Sequence, residues 1–143
     1  MTKPMSTGRT AIVIEDDSTI RAMVATMLAR DGFVVTTVAD GLSALEQLST
    51  DEFDLIVLDL MMPGVDGFGV IDFLEENKPR RLKRVLITTA VASPMAERIP
   101  KSICTILPKP FDMAELLRHA RECSEDTLAR EARRRSQQAP APA

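Results

Sequence analysis

The run Leu55–Ile56–Val57–Leu58, ending directly in Asp59, constrains this chain more than any other stretch. Four apolar residues without alternation read as a strand buried on both faces, which requires layers packed on either side of its sheet. Pro63 and Gly64 follow almost at once and turn the chain. Asp59 therefore stands where a buried strand ends, and in open parallel sheets ligands collect at that end. A strand-end aspartate also serves commonly as a turn-former or helix cap, so the rest of the chain has to decide between the two roles.

The remaining pattern is an alternation of strands and helices. Thr10 to Ile14 reads as strand 1 and runs into three acids, Glu15, Asp16 and Asp17. Asp17 or Ser18 can cap the following helix, whose apolar positions Ile20, Met23, Val24, Met27 and Leu28 recur at helical spacing. Asp31–Gly32 stops it, Phe33 to Val38 is strand 2, and Asp40 caps a helix through Leu42, Leu45 and Leu48. After strand 3, Asp66–Gly67 opens a helix carrying Val70, Ile71 and Leu74. Val85 to Ile87 is strand 4, ending at Thr88–Thr89–Ala90, and Ile103 to Leu107 is strand 5, ending at Pro108–Lys109–Pro110. Asp112 caps a last helix with Leu116, Leu117, Ala120 and Cys123. Short connections between alternating strands and helices predict right-handed crossovers. The expected fold is α/β: a doubly wound, flavodoxin-like sheet of five parallel strands in the order 2-1-3-4-5, with five helices on its two faces.

Composition narrows the function. The formal net charge is −3, which gives no general attraction to nucleic acid. Tryptophan and tyrosine are absent, so there is little to stack on bases or a flavin. No apolar run is long enough to span a bilayer. Cys104 and Cys123 lack CxxC spacing and nearby histidines, and read as reduced thiols of a cytoplasmic protein, with Cys104 in the core.

The chemistry gathers at the carboxyl ends of the strands. Strand 1 contributes Glu15 and Asp16, strand 3 Asp59, strand 4 Thr89 and strand 5 Lys109. In the expected order strands 1, 3, 4 and 5 are consecutive, so these side chains share one rim. Three neighbouring carboxylates repel and call for a cation. Hard oxygen donors without histidine or thiolate suit Mg²⁺ or Mn²⁺. A lysine and a hydroxyl facing them complete a site for a phosphoryl group.

Taken together, Ile12–Val13–Ile14–Glu15–Asp16–Asp17, Leu58–Asp59 through Asp66–Gly67, Thr89–Ala90 and Lys109–Pro110–Phe111 resemble the receiver domain of bacterial two-component response regulators, single-domain chemotaxis regulators among them. The resemblance runs from about residue 9 to 125. It implies that Asp59 is the phosphoacceptor, that Asp16, Asp59 and the Met61 backbone carbonyl ligate Mg²⁺ with Glu15 acting through water, and that Thr89 and Lys109 bind phosphoryl oxygens. It also implies a cis peptide before Pro110. The expected partners are a sensor histidine kinase or histidine phosphotransfer protein and a downstream protein. Direct DNA binding and membrane association are not expected, and the chain is expected to be a monomer or weak dimer. Such a domain assists its own phosphorylation and dephosphorylation without being a turnover enzyme.

Two departures stand out. The family carries an aromatic residue three positions before the lysine of strand 5, where this chain has Ile106. The fourth-helix region, Ala92 to Ser102, is short and holds Pro94 and Pro100. The expected organisation is a flexible N-terminus (1–8), a receiver domain (9–125), and a helical extension with a disordered Ala/Pro tail (126–143). Met1 and the tail favour a stand-alone receiver. The competing readings are a receiver fragment of a larger transcription factor or hybrid kinase, and an aspartate-nucleophile phosphatase on the same fold. A flavodoxin is disfavoured because acids replace the Ser/Thr/Gly-rich phosphate loop after strand 1.

Overall fold

The computed structural model describes residues 8–90 and 97–125. The elements run β1 (Thr10–Ile14), α1 (Ser18–Arg30), β2 (Val34–Val38), α2 (Gly41–Thr50), β3 (Leu55–Asp59), α3 (Gly67–Asn77), a 3₁₀ helix (Pro79–Arg84), β4 (Val85–Thr89), β5 (Thr105–Pro108) and α4 (Met113–Ser124). The sheet order is β2-β1-β3-β4-β5, and every neighbouring pair is parallel.

The strand sequences divide between two cores, as a side-chain period of two demands. Ile12, Ile14, Ile56, Leu58, Val85 and Ile87 point into one, shared with Ala44 and Leu48 of α2 and with Val70, Ile71 and Leu74 of α3. Ala11, Val13, Leu55, Val57 and Leu86 point into the other, shared with Val24 and Leu28 of α1 and with Leu116 and Ala120 of α4. β3 lies in the middle of the sheet and is buried along its whole length, which is why its sequence is uniformly apolar up to Asp59.

Aspartates start all four α-helices among the described residues. Asp17 accepts from the Ile20 N–H at 3.0 Å, Asp40 from Ser43 at 2.7 Å, Asp66 from Phe68 at 3.0 Å and Asp112 from Ala114 at 2.9 Å. Each such cap contributes about 1 kcal/mol. Between the two candidates for α1, Asp17 is the cap. Gly67 is required by contact: a Cβ there would lie 2.5 Å from the Leu60 Cα and 2.6 Å from the Asp59 carbonyl oxygen. Its N–H donates to the Leu60 carbonyl at 2.9 Å, so the start of α3 is pressed against the end of β3.

Several expectations are corrected. Cys104 and Cys123 are not free thiols: they form a disulfide, with their Cα atoms 5.8 Å apart. The pairing arises because α4 folds back beside the entry to β5, a tertiary contact that their spacing of 19 residues does not announce. Cys104 is half-buried at the edge of the core, while Cys123 is the fully buried partner. Leu42 does not face inward; it is 61% exposed, and Gly41, Ala44 and Leu48 form the buried stripe of α2. β5 begins at Thr105 rather than Ile103 and includes Pro108, which an edge strand tolerates. The 3₁₀ helix has no counterpart in the expected element list; it is anchored by buried Leu82. Of the fourth-helix region, residues 91–96 lie outside the described residues, as do the segments 1–7 and 126–143.

Candidate functional site

The ends of β1, β3 and β5 place Glu15, Asp59 and Lys109 together. The strand periodicity carries each of the three toward the α1/α4 side of the sheet, in line with Val13, Val57 and Leu107. Glu15 and Asp59 are buried. The Lys109 Nζ donates to Glu15 Oε1 at 2.7 Å and stands 3.5 Å from Asp59 Oδ2. Glu15, Asp16 and the acceptor candidate Asp59 each offer one carboxylate oxygen within 4.8 Å of the others. Asp16 is exposed at the mouth of this cluster.

The surrounding backbone closes on the cluster. The Met61 N–H folds back to donate to Asp59 Oδ1 at 3.2 Å, and the Asp17 N–H donates to Glu15 Oε2 at 3.2 Å. Thr89, the last residue of β4, is buried and one position past Thr88, the register partner of Asp59. Its carbonyl accepts from the Lys109 N–H at 2.8 Å, which ties β4 to the lysine. The Lys109–Pro110 peptide is cis. Ile106, by contrast, is on β5 with its side chain 42% exposed.

The electrostatics follow from three acids beside one lysine. Burial raises the Asp59 carboxyl to about 7, and the hydrogen bond and negative charge of Glu15 add to the rise; Lys109 and the Met61 N–H oppose it. For Lys109, burial pulls downward, but the hydrogen bond to Glu15 and the charges of Asp59 and Glu15 outweigh it, so its pKa is raised. The lysine is a fixed cation, and it does not compensate all the negative charge around it. A divalent cation held by hard oxygen donors fits such a set.

Arg21 was not visible as a site residue from the sequence. Its Nη1 donates to the Glu15 carbonyl at 2.9 Å and to the Asp16 carbonyl at 3.3 Å, and so holds the acidic loop in place. The signal available was a cation in the first turns of α1, where the helix dipole disfavours it and some other contact must retain it.

A family model, the response regulator receiver domain, matches residues 11–121. The chain belongs to that family. Among curated relatives, this receiver is 37% identical over 108 residues to protein PetR of Rhodobacter capsulatus, covering 74% of this chain and 44% of that protein. It is 31% identical over 117 residues to the transcriptional regulatory protein TcrA of Mycobacterium tuberculosis, covering 82% of this chain and 46% of that one. The chain thus spans less than half the length of these relatives. Among solved structures, it resembles a Francisella response regulator receiver domain with a TM-score of 0.72 at 28% identity, covering 82% of this chain and 97% of that one. The Vibrio cholerae chemotaxis protein CheY4 gives 0.71 at 29% identity, with coverages of 79% and 96%. The receiver domain of a Pseudomonas aeruginosa sensor histidine kinase gives 0.73 at 27% identity, with coverages of 82% and 98%; that structure has a magnesium ion coordinated in its active site cleft. Among the described residues of this receiver, no helix is long and apolar enough to cross a membrane.

Proposed function

We propose that this chain is a stand-alone receiver that accepts a phosphoryl group on Asp59 from a phosphohistidine donor and signals in the cytoplasm by protein contact. The observation that carries the reading is Lys109 set between Glu15 and Asp59, at 2.7 and 3.5 Å, with three carboxylates converging beside it. In the proposed step an Asp59 oxygen attacks phosphorus in line, and an acyl phosphate bond forms. The phosphorus–nitrogen bond of the donor breaks, and its electron pair returns to the imidazole. Lys109 neutralises charge on one phosphoryl oxygen, and the Thr89 hydroxyl donates to another. Asp16, Asp59 and the Met61 carbonyl would hold Mg²⁺ or Mn²⁺, with Glu15 acting through water. The ion supplies further neutralisation of the transferring group when bound.

An apolar groove of about 370 Å³, lined by Ile20, Met23, Phe111, Met113 and Pro110, opens beside Lys109. A donor protein seated there would bring its phosphohistidine onto Asp59, and methionines suit a surface that must fit a helical partner. A second reading has one observation in its favour: the matched residues cover less than half of the curated relatives' length, so the chain can equally serve as the receiver part of a longer transcriptional regulator.

Incubation with Mg²⁺ and acetyl phosphate, followed by intact mass, tests the central claim. One added phosphoryl group is expected, lost in Asp59→Asn and without metal. Turnover of acetyl phosphate with no accumulated adduct would instead indicate a phosphatase.

A further inference from the structure

At the opposite end of the sheet from Asp59, the connection between α3 and β4 forms a second polar site. A cleft of about 510 Å³ is lined by Lys78, Arg80, Arg81, Lys83 and Arg84, with Glu52 as its one carboxylate. Five cations against one acid stand out in a chain of formal net charge −3. The segment is ordered by its apolar side: Pro79 sits at the start of the 3₁₀ helix and Leu82 is buried beneath it. On such a helix positions three residues apart share a face, which puts Arg80 with Lys83 and Arg81 with Arg84 along the segment.

Three of the cations are held in position by contacts to different elements. Arg81 pairs with Glu52. The Lys78 Nζ donates to the Leu48 carbonyl near the end of α2 at 2.6 Å. Arg84 donates to the Glu125 carbonyl at the end of α4 at 2.6 Å. The last two acceptors are neutral carbonyls, which orient the cations without cancelling their charge. Neutralising helix C-termini accounts for Lys78 and Arg84, and it does not account for Arg80, which is exposed on the cleft.

We propose that this cleft binds a small anion carrying a chain of two or three phosphates. Guanidinium groups match phosphate oxygens in pairs, and those of Arg81 and Arg84 are already held in place, so less freedom is lost on binding. The volume lies in the range of small-molecule sites. No aromatic side chain lines the cleft, so nothing there stacks on bases as single-stranded nucleic acid requires. The shared chemistry is the phosphate chain; its source is either inorganic triphosphate or a nucleoside triphosphate.

Calorimetric titration of the full chain in metal-free buffer at moderate salt tests this. Inorganic triphosphate and adenosine triphosphate are the two probes. Saturable one-to-one binding is expected, weakened about tenfold or more in Arg80→Glu/Lys83→Glu. Arg80→Gln/Lys83→Gln serves as the variant free of charge reversal, and weakening there is expected too. Equal affinity for the two probes assigns the site to the phosphate chain alone; tighter nucleotide binding assigns part of it to the nucleoside. Both variants should still gain a phosphoryl group from acetyl phosphate and Mg²⁺, so failure at Asp59 and failure at this cleft are read separately. Absence of saturation, or wild-type affinity in both variants, overturns the proposal. So does tighter binding of an acidic peptide or single-stranded DNA than of triphosphate, which would assign the patch to a macromolecule.

Discussion

Asp59 is ionised only at the cost of burying charge beside Glu15, and its pKa of about 7 expresses that. A folded-state value above the unfolded one means that the folded chain holds the proton more tightly. The stability this brings is complete below the ordinary carboxylate range and is lost as the pH rises through about 7. In metal-free solution near pH 8, Asp59→Asn should therefore be more stable than wild type by about 1–2 kcal/mol, after allowance for solvent screening at the rim. The difference should shrink near pH 5, and added Mg²⁺ should stabilise wild type but not the variant. Urea unfolding at the two pH values checks it; a variant less stable than wild type near pH 8 overturns the account. At this scale the rim positions of Glu15 and Asp59 were legible because each directly follows a β-branched or aliphatic run, with Asp16 one residue further on and Lys109 separated from its run by Pro108. Arg21 was not, because its contacts are to backbone carbonyls, which carry no sequence signature.

Elements were read well where hydrophobic period and capping chemistry agree. The capping aspartates Asp40 and Asp112, Asp66 at the start of its helix and the buried strands fall in this class, and so does the strand order, since short crossovers leave few topologies; for the first helix the reading left Asp17 and Ser18 open, and Asp17 proves to be the cap. The reading failed where a tertiary contact decides. Leu42 occupies a helical apolar position, yet α2 turns its Gly41–Ala44–Leu48 stripe inward so that Gly41 can meet Val65: a Cβ at Gly41 would lie 1.9 Å from the Val65 carbonyl oxygen. The charged run after Asn77 gave no helical period, and its 3₁₀ turn rests on Pro79 and buried Leu82. The Cys104–Cys123 bridge likewise depends on where α4 docks. Closing a 19-residue separation, it should contribute about 3 kcal/mol. Protein purified without reductant and then unfolded should take up no alkylating reagent, and two equivalents after reduction, with a matching loss of stability. Two reactive thiols before reduction would show that the bridge does not form, and would favour the reducing cytoplasm expected from the sequence.

Across the whole molecule, the phosphoryl group proposed for Asp59 would have to act outward from one rim of the sheet. The sheet offers one mechanical route. β4 is buried along its length, and its terminal Thr89 is bonded through its carbonyl to Lys109 at the end of β5. β5 is an edge strand, registered on β4 with Ile106 opposite Ile87. A phosphoryl group drawing the Thr89 hydroxyl toward Asp59 would shift the end of β4, and β5 has to follow, because interiors this tightly packed have discrete rather than graded arrangements. Position 106, where the resemblance leads one to expect an aromatic side chain, holds a half-exposed isoleucine, so the proposed response would be carried by backbone and that isoleucine. Hydrogen exchange reads this directly. Phosphorylated wild type should differ from unphosphorylated protein over residues 85–89 and 105–108. Phosphorylated Thr89→Ala should gain the same mass and lose that difference. An unchanged exchange pattern in the variant would separate Thr89 from the switch and leave the Lys109 link as the route by which β5 is moved.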